Sequence, residues 1–267
     1  MWRCDMNLPE LSYTQYWLVF NVLSLTVAVM GASGLFFLMA RSYVAPKYHI
    51  ALYLSALVVF IAGYHYLRIF ESWQGAYVLS QSGTYVPSGK PFNDFYRYAD
   101  WIITVPLLLT ELIYVMALPR AKTNSLITRL VIAAVVMLAL GYPGEIEREN
   151  MTMRTVWFVL SCIPFVYILY VLYGELSRVL SEAKFAPRVN QLIGTTRTLL
   201  LISWLFYPIA YLAPMVGVSG AAGEVALQVG YSIADLTAKA LFGVMLYLIA
   251  REKTLSEEPA YATQTAN

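Results

Sequence analysis

The chain has 267 residues, 59% of them hydrophobic and 13% charged, with a formal net charge of +2. A mean hydropathy of +0.60 excludes an ordinary soluble domain of this length, and the near-balance of charge, without a basic cluster, gives no footprint for nucleic acid. Cys4 near the start and Cys162 inside an apolar run stand at different expected depths, so neither a disulfide nor a metal framework is implied.

Seven apolar runs can be drawn, at about 13–40, 50–70, 96–118, 125–142, 153–175, 198–217 and 225–250, each of a length to cross a bilayer once as a helix. Stretches carrying Arg41, Lys47, Arg120, Lys122, Arg129, Arg178, Lys184, Arg188, Arg197, Arg251 and Lys253 alternate with stretches poor in base. The basic side is expected to be cytoplasmic, which puts the N-terminus outside and the C-terminus inside. Arg3 is followed by Asp5 and Glu10 before the first apolar run, a pattern unlike a cleaved signal peptide. The expected fold is an all-α membrane protein of seven transmembrane helices, forming one domain over 1–255, with a disordered cytoplasmic tail over 256–267.

The second run carries His65 in Ala62-Gly-Tyr-His65-Tyr-Leu-Arg68, near its outer end. A lone histidine in such a helix is commonly just hydrogen-bonded to a neighbour, and His49 reads as a surface residue. The longest outer connection, 71–95, sets Ala76-Tyr-Val-Leu-Ser and Thr84-Tyr-Val around Gln81-Ser-Gly83, which predicts a short β-hairpin over the outer mouth.

The third run reads Tyr96-Arg97-Tyr98-Ala99-Asp100-Trp101-Ile-Ile-Thr104-Val-Pro106-Leu107-Leu108-Leu-Thr-Glu111. Eleven helical steps make three turns and roughly 20°, so Asp100 and Glu111 share a face about 16 Å apart along the axis, with Thr104 between them. Asp100 has Arg97 one turn outward and is expected to be ionised. Glu111 is flanked by Leu107, Leu108, Leu112 and Val115 and is expected to be kept neutral by desolvation. The plainer alternative has Glu111 reaching to the cytoplasmic surface near Arg120. His65 falls at about the depth of Asp100, where a hydrogen bond between them would couple their titrations.

In the sixth run, Trp204-Leu-Phe-Tyr207-Pro208 and Tyr211 put a large ring at mid-span, where Trp204 and Trp101 could hold a flat conjugated ligand beside a helix bent at Pro208. By itself the stripe would be core packing. The seventh run carries Asp235 and Lys239 four residues apart on one helix face at mid-membrane. Ionised groups at that depth cost roughly 2.5 to 3.5 kcal/mol each and need partners or a task. They form either a structural ion pair or a site where a lysine made neutral by burial condenses with an aldehyde.

Together these motifs, Arg97-Tyr-Ala-Asp100-Trp101 with Thr104 and Glu111, Trp204-x-x-Tyr207-Pro208, and Asp235-x-x-x-Lys239, resemble the microbial (type 1) rhodopsins over nearly the whole seven-span region. The Asp100/Thr104/Glu111 triple resembles that of eubacterial outward proton pumps. His65 in Tyr-His-Tyr-x-Arg-Ile-Phe and the Gly141-Tyr-Pro-Gly144-Glu145 turn resemble the xanthorhodopsin and proteorhodopsin group. The resemblance implies all-trans retinal bound to Lys239 as a protonated Schiff base. It implies a pocket formed by Trp101, Thr104, Leu108, Met137, Gly141, Phe158, Trp204, Tyr207, Pro208, Tyr211 and Asp235.

By position it also implies Asp100 as counterion and proton acceptor, Asp235 as second counterion, Arg97 as the release-side gate and Glu111 as cytoplasmic donor. It implies a light-driven transporter rather than an enzyme, in a bacterial inner membrane, as a homo-oligomer, pentamer or trimer. Leu108 matches green-absorbing proteorhodopsins. Two departures stand out. Phe158 occupies the place of the glycine that opens a carotenoid window in some members, so no antenna carotenoid is expected. Leu227 and Gln228 stand nearest the place of the haloarchaeal release glutamates. The rival readings are a photosensor signalling through a membrane partner and a seven-helix transporter without a chromophore.

Overall fold

The computed structural model describes residues 8–147, 150–183 and 185–258. Arg3, Cys4, Asp5, Lys184 and the tail from 259 onward lie outside the described residues. Seven helices long and apolar enough to cross a membrane follow one another in the chain. They are α1 (Tyr13–Ala40), α2 (His49–Ala76), α3 (Tyr96–Met116), α4 (Arg120–Ile146), α5, α6 (Pro187–Leu212) and α7. The fifth, α5, runs over Met151–Tyr170 and continues through a π-turn over Val171–Glu175 into Leu176–Ala183. The seventh, α7, runs over Gly220–Asp235, through a π-turn over Leu236–Leu241, and on over Phe242–Glu257.

Burial separates the helices by position. In α3, 61% of the apolar window is buried against neighbours, and in α5 only 17%, so α3 is central and α5 peripheral. Outward-facing Ile163, Ile202 and Ile209 are each more than 60% exposed, which in a soluble protein would be a liability and here is the surface offered to lipid tails. A continuous helix also leaves no backbone polar group unpaired within that apolar layer.

The expected hairpin is present: β1 (Tyr77–Leu79) pairs antiparallel with β2 (Tyr85–Pro87), turning at Gly83, whose φ of 84° suits a residue without Cβ. Leu11 adds a bridge to Tyr85, and Tyr16 stacks on Tyr85 with ring centroids 3.7 Å apart, so the hairpin is tied to the start of α1. It covers the end of the bundle at which α3 begins.

At the opposite end the helices run further than the apolar runs do. Arg120, Lys122, Arg129, Arg178, Arg188, Arg197, Arg251 and Lys253, read as connection residues from the sequence, are helical. Their charges are absorbed locally: Arg129 pairs with Glu175 at 2.6 Å, and Arg197 donates to the Leu172 carbonyl at 2.9 Å and Ser177 at 2.6 Å. Helix α7 likewise continues to Glu257, two residues past the expected end of the domain at 255, because Glu257 bonds Tyr48 and Lys47.

Candidate functional site

The π-turn of α7 contains Lys239. Such a turn adds a residue to the local helical repeat and re-aims the side chains on it. The Lys239 amine lies 2.7 Å from Oδ1 of Asp235 on its own helix and 2.7 Å from Oδ2 of Asp100 on α3. All three groups are at most 2% exposed. Arg97, also 2% exposed, supplies a second cation, so two carboxylates face two basic groups and the formal charge of the buried set is balanced. Buried ions persist only when paired and further hydrogen-bonded.

The two carboxylates differ in how completely this is done. Asp235 accepts from Tyr207 at 2.6 Å, Tyr66 at 2.7 Å and the indole of Trp101 at 3.3 Å, besides Lys239. Asp100 accepts from Lys239 on Oδ2, and among the described residues no group donates to its Oδ1. The expected His65–Asp100 hydrogen bond is not formed. Nδ1 of His65 is 3.9 Å from Asp100 Oδ1 and instead donates to the Ile61 carbonyl at 2.9 Å, one turn back on its own helix.

Thr104 is fully buried, and its hydroxyl donates to the Asp100 carbonyl at 3.0 Å. It therefore braces the turn of α3 that carries Asp100 and, contrary to the sequence reading, is not part of the pocket wall. Arg97 donates to Gln228, whose amide in turn donates to Glu224 at 2.8 Å. Its guanidinium also lies over the rings of Tyr231 and Tyr66, 5.0 and 5.9 Å from their centroids. Gln228 is thus the direct partner of Arg97.

Glu111 is 0% exposed. It accepts a 2.6 Å hydrogen bond from Ser55 on α2, and among the described residues its other oxygen has no partner. Leu108, Leu112 and Val115 beside it belong to the apolar core. The carboxyl consequently does not reach for the surface. Ser55 was not singled out from the sequence, yet a signal existed. In antiparallel neighbours the residue numbers of facing positions have a nearly constant sum, so His65 beside Asp100 brings the stretch at Leu54 and Ser55 to Glu111, to within one residue.

Beside Lys239 lies a cavity. Its wall includes Trp101, Leu108, Met137, Gly141, Phe158, Trp204, Tyr207, Pro208, Tyr211 and Asp235, all expected from the sequence, and also Tyr98, Val105, Leu138, Ser161, Cys162, Phe165 and Ala238, which were not. The aromatic, largely apolar wall is that of a small-molecule site, and the charged side chains on it are Lys239 and Asp235. A long conjugated aldehyde meets all these conditions: apolar along its length, with one end reactive toward an amine. Gly144 lets the rim close, since a Cβ there would collide with the Tyr211 hydroxyl and come within 2.7 Å of Trp157.

Comparison with known proteins agrees with this geometry. The family model for bacteriorhodopsin-like proteins matches residues 18–253. The green-light absorbing proteorhodopsin of gamma-proteobacterium EBAC31A08 is 29% identical over 250 residues, 92% of this chain and 89% of that protein. Among solved structures, a thermophilic rhodopsin superposes with a TM-score of 0.92 at 63% identity, covering 94% of this chain and 99% of its own. Xanthorhodopsin, described as a light-driven ion pump with dual chromophore, superposes with a TM-score of 0.90 at 51% identity, with the same coverage of both chains.

Proposed function

The chain belongs to the bacteriorhodopsin-like family of multi-pass, retinal-binding, light-driven ion transporters, and from that premise we propose that it is an outward proton pump. The observation that carries this reading is the contrast along one face of α3. Asp100 touches the Lys239 amine with one oxygen still without a donor, while Glu111 sits in an apolar setting with a single hydroxyl partner.

Lys239 would hold retinal, and the bound group would supply light absorption and a light-dependent change in the acidity and direction of the nitrogen shared with the lysine. Everything else falls to the chain. Asp100, 2.7 Å away, takes the proton from that nitrogen. Asp235, held by Tyr66, Tyr207 and Trp101, has little remaining capacity to accept and stays as the fixed anion. Glu111 then returns a proton to the nitrogen from the other side and refills from the cytoplasm. Arg97, linked through Gln228 to Glu224, directs the outgoing proton away from Asp100. Helix α6, which carries Pro208 in the cavity wall, is the element that changes access between the two half-reactions.

Phe158 lines the cavity 5.2 Å from the Tyr211 ring, which supports a closed window and a pigment without antenna carotenoid. Leu108 in the wall supports green absorption. A photosensor would not require a buried carboxyl at 111. Illumination of retinal-fed cells in unbuffered salt tests the proposal: external acidification abolished by a protonophore is expected, and alkalinisation enhanced by the protonophore would mean another ion.

A further inference from the structure

Lys253 is a lysine only 1% exposed, on the part of α7 remote from the hairpin, and nothing in the pumping scheme uses it. Its amine donates to the carbonyl of Met116 at 2.7 Å and to that of Val115 at 3.3 Å. These are closing carbonyls of α3. The helix stops there because Ala117 turns left-handed at φ 50°, its N–H going to Tyr114 at 3.0 Å, and Pro119 has no N–H to offer. Carbonyls at such an end have no donor within the helix, and a basic group beside them also suits the helix dipole.

The amine is packed between two rings, 4.2 Å from the centroid of Phe185 in the α5–α6 connection and 5.2 Å from that of Tyr48 at the start of α2. Tyr48 donates to Glu257 at 2.6 Å, and Thr254 accepts from the Ala45 backbone at 2.9 Å, so this end of α7 is strapped to the α1–α2 connection as well. Val115 follows Glu111 by one turn, roughly 6 Å along the axis. Ser55, the partner of Glu111, lies about two turns beyond Tyr48 on α2. The carbonyls that hold Lys253 therefore lie one turn beyond Glu111 on its own helix, and Tyr48 directly precedes the helix that supplies Ser55.

We infer that Lys253 is a positioning residue for proton transfer from Glu111: by tying the last turn of α3 to α7, the helix that carries Lys239, it fixes the depth and direction of the donor carboxyl. The inference rests on the reading of Glu111 as donor. Small displacements of a reacting group are costly, which is why an anchor one turn away matters.

The test uses the retinal-loaded full chain in lipid nanodiscs, followed by flash photolysis. Lys253→Met keeps the apolar stem and removes the donor; Lys253→Arg keeps the donors. With Lys253→Met the dark visible band and the first proton transfer are expected to stay as in the unaltered protein, while late recovery slows roughly tenfold, and Lys253→Arg recovers to within about twofold. In a Glu111→Gln background Lys253→Met is expected to add nothing, the mark of two residues acting as one unit.

Unchanged late recovery in Lys253→Met, or the same slowing with and without Glu111, overturns the inference and leaves Lys253 a structural cap. Should the Met variant bind no retinal, Lys253→Gln is judged by the same two comparisons. Failure of the underlying reading is visible separately, as absent light-driven acidification by the unaltered protein or normal recovery in Glu111→Gln alone.

Discussion

Asp100 and Glu111 stand on one face of one helix, yet the regions around them are built in opposite ways. Around Asp100 and its neighbour Asp235, three other helices contribute a lysine, two tyrosines and a histidine, and α3 itself adds a tryptophan and an arginine. Around Glu111 there is one serine hydroxyl and an apolar wall. The backbone scaffold is the same in both places. What differs is the supply of donors and opposite charge, and that supply decides whether a buried carboxyl can exist as an anion. One helix thus holds a donor-rich carboxyl site and a donor-poor one about 16 Å apart without any change in its own geometry.

The comparison breaks most completely if the outer region loses its cation. Lys239→Ala removes the proposed attachment point and leaves Asp100 and Asp235 buried 2.7 Å from where their shared partner stood. A colourless protein is expected on mixing with retinal, together with a loss of thermal stability on the order of 3 to 5 kcal/mol for an uncompensated buried charge. A surviving visible band would refute the attachment. Asp100→Asn keeps the shape of the outer region and removes the acceptor proposed for it. A red-shifted band with no light-driven acidification is expected, and persistent pumping would transfer the acceptor role elsewhere.

Much of the outer region was legible in the sequence because each of its charges violates the apolar pattern around it. Asp235 and Lys239 share a face by their spacing alone, and the angle between Asp100 and Glu111 follows from the helical repeat. The hairpin was readable from β-prone residues about Gly83. Partners on other helices were less visible. Ser55 and Tyr66 are ordinary residues for a membrane helix, and only the packing of α2 against α3 and α7 makes them ligands of Glu111 and Asp235.

Helix ends were underestimated for a related reason. Arg129, Arg197 and Lys253 look like connection residues until Glu175, Leu172 and Met116 are seen to receive them. Of the two readings of His65, the ordinary one holds, since its ring nitrogen turns to the carbonyl a turn behind it while Asp100 stays 3.9 Å away, a choice that spacing alone does not reveal.

The inner region is sharpened by Glu111→Gln. The band is expected to be unmoved, because Glu111 lies far along the helix from the charged set, and late recovery is expected to slow on the order of 100-fold, the usual contribution of a positioned general acid. Flash photolysis at neutral pH checks both halves, and a normal late phase would remove Glu111 from the pathway.

The smallest effect expected separates the two regions most directly, because it asks the same question of each: what does the loss of one hydroxyl donor cost? Ser55→Ala takes away the donor that meets Glu111 at 2.6 Å, and Tyr207→Phe takes away one of those meeting Asp235, also at 2.6 Å. A single net hydrogen bond is worth about 1 kcal/mol, or roughly fivefold in a rate. At Glu111 the serine supports the negative charge that appears as the proton departs, and nothing else among the described residues replaces it, so late recovery should slow by about that factor, roughly fivefold. At Asp235 the lysine, Tyr66 and Trp101 remain after the change, so the anion keeps its place and late recovery should be altered by less than about twofold. Equal slowing by the two variants would mean that donor number does not distinguish the regions, and that their difference must lie in the apolar wall around Glu111 instead.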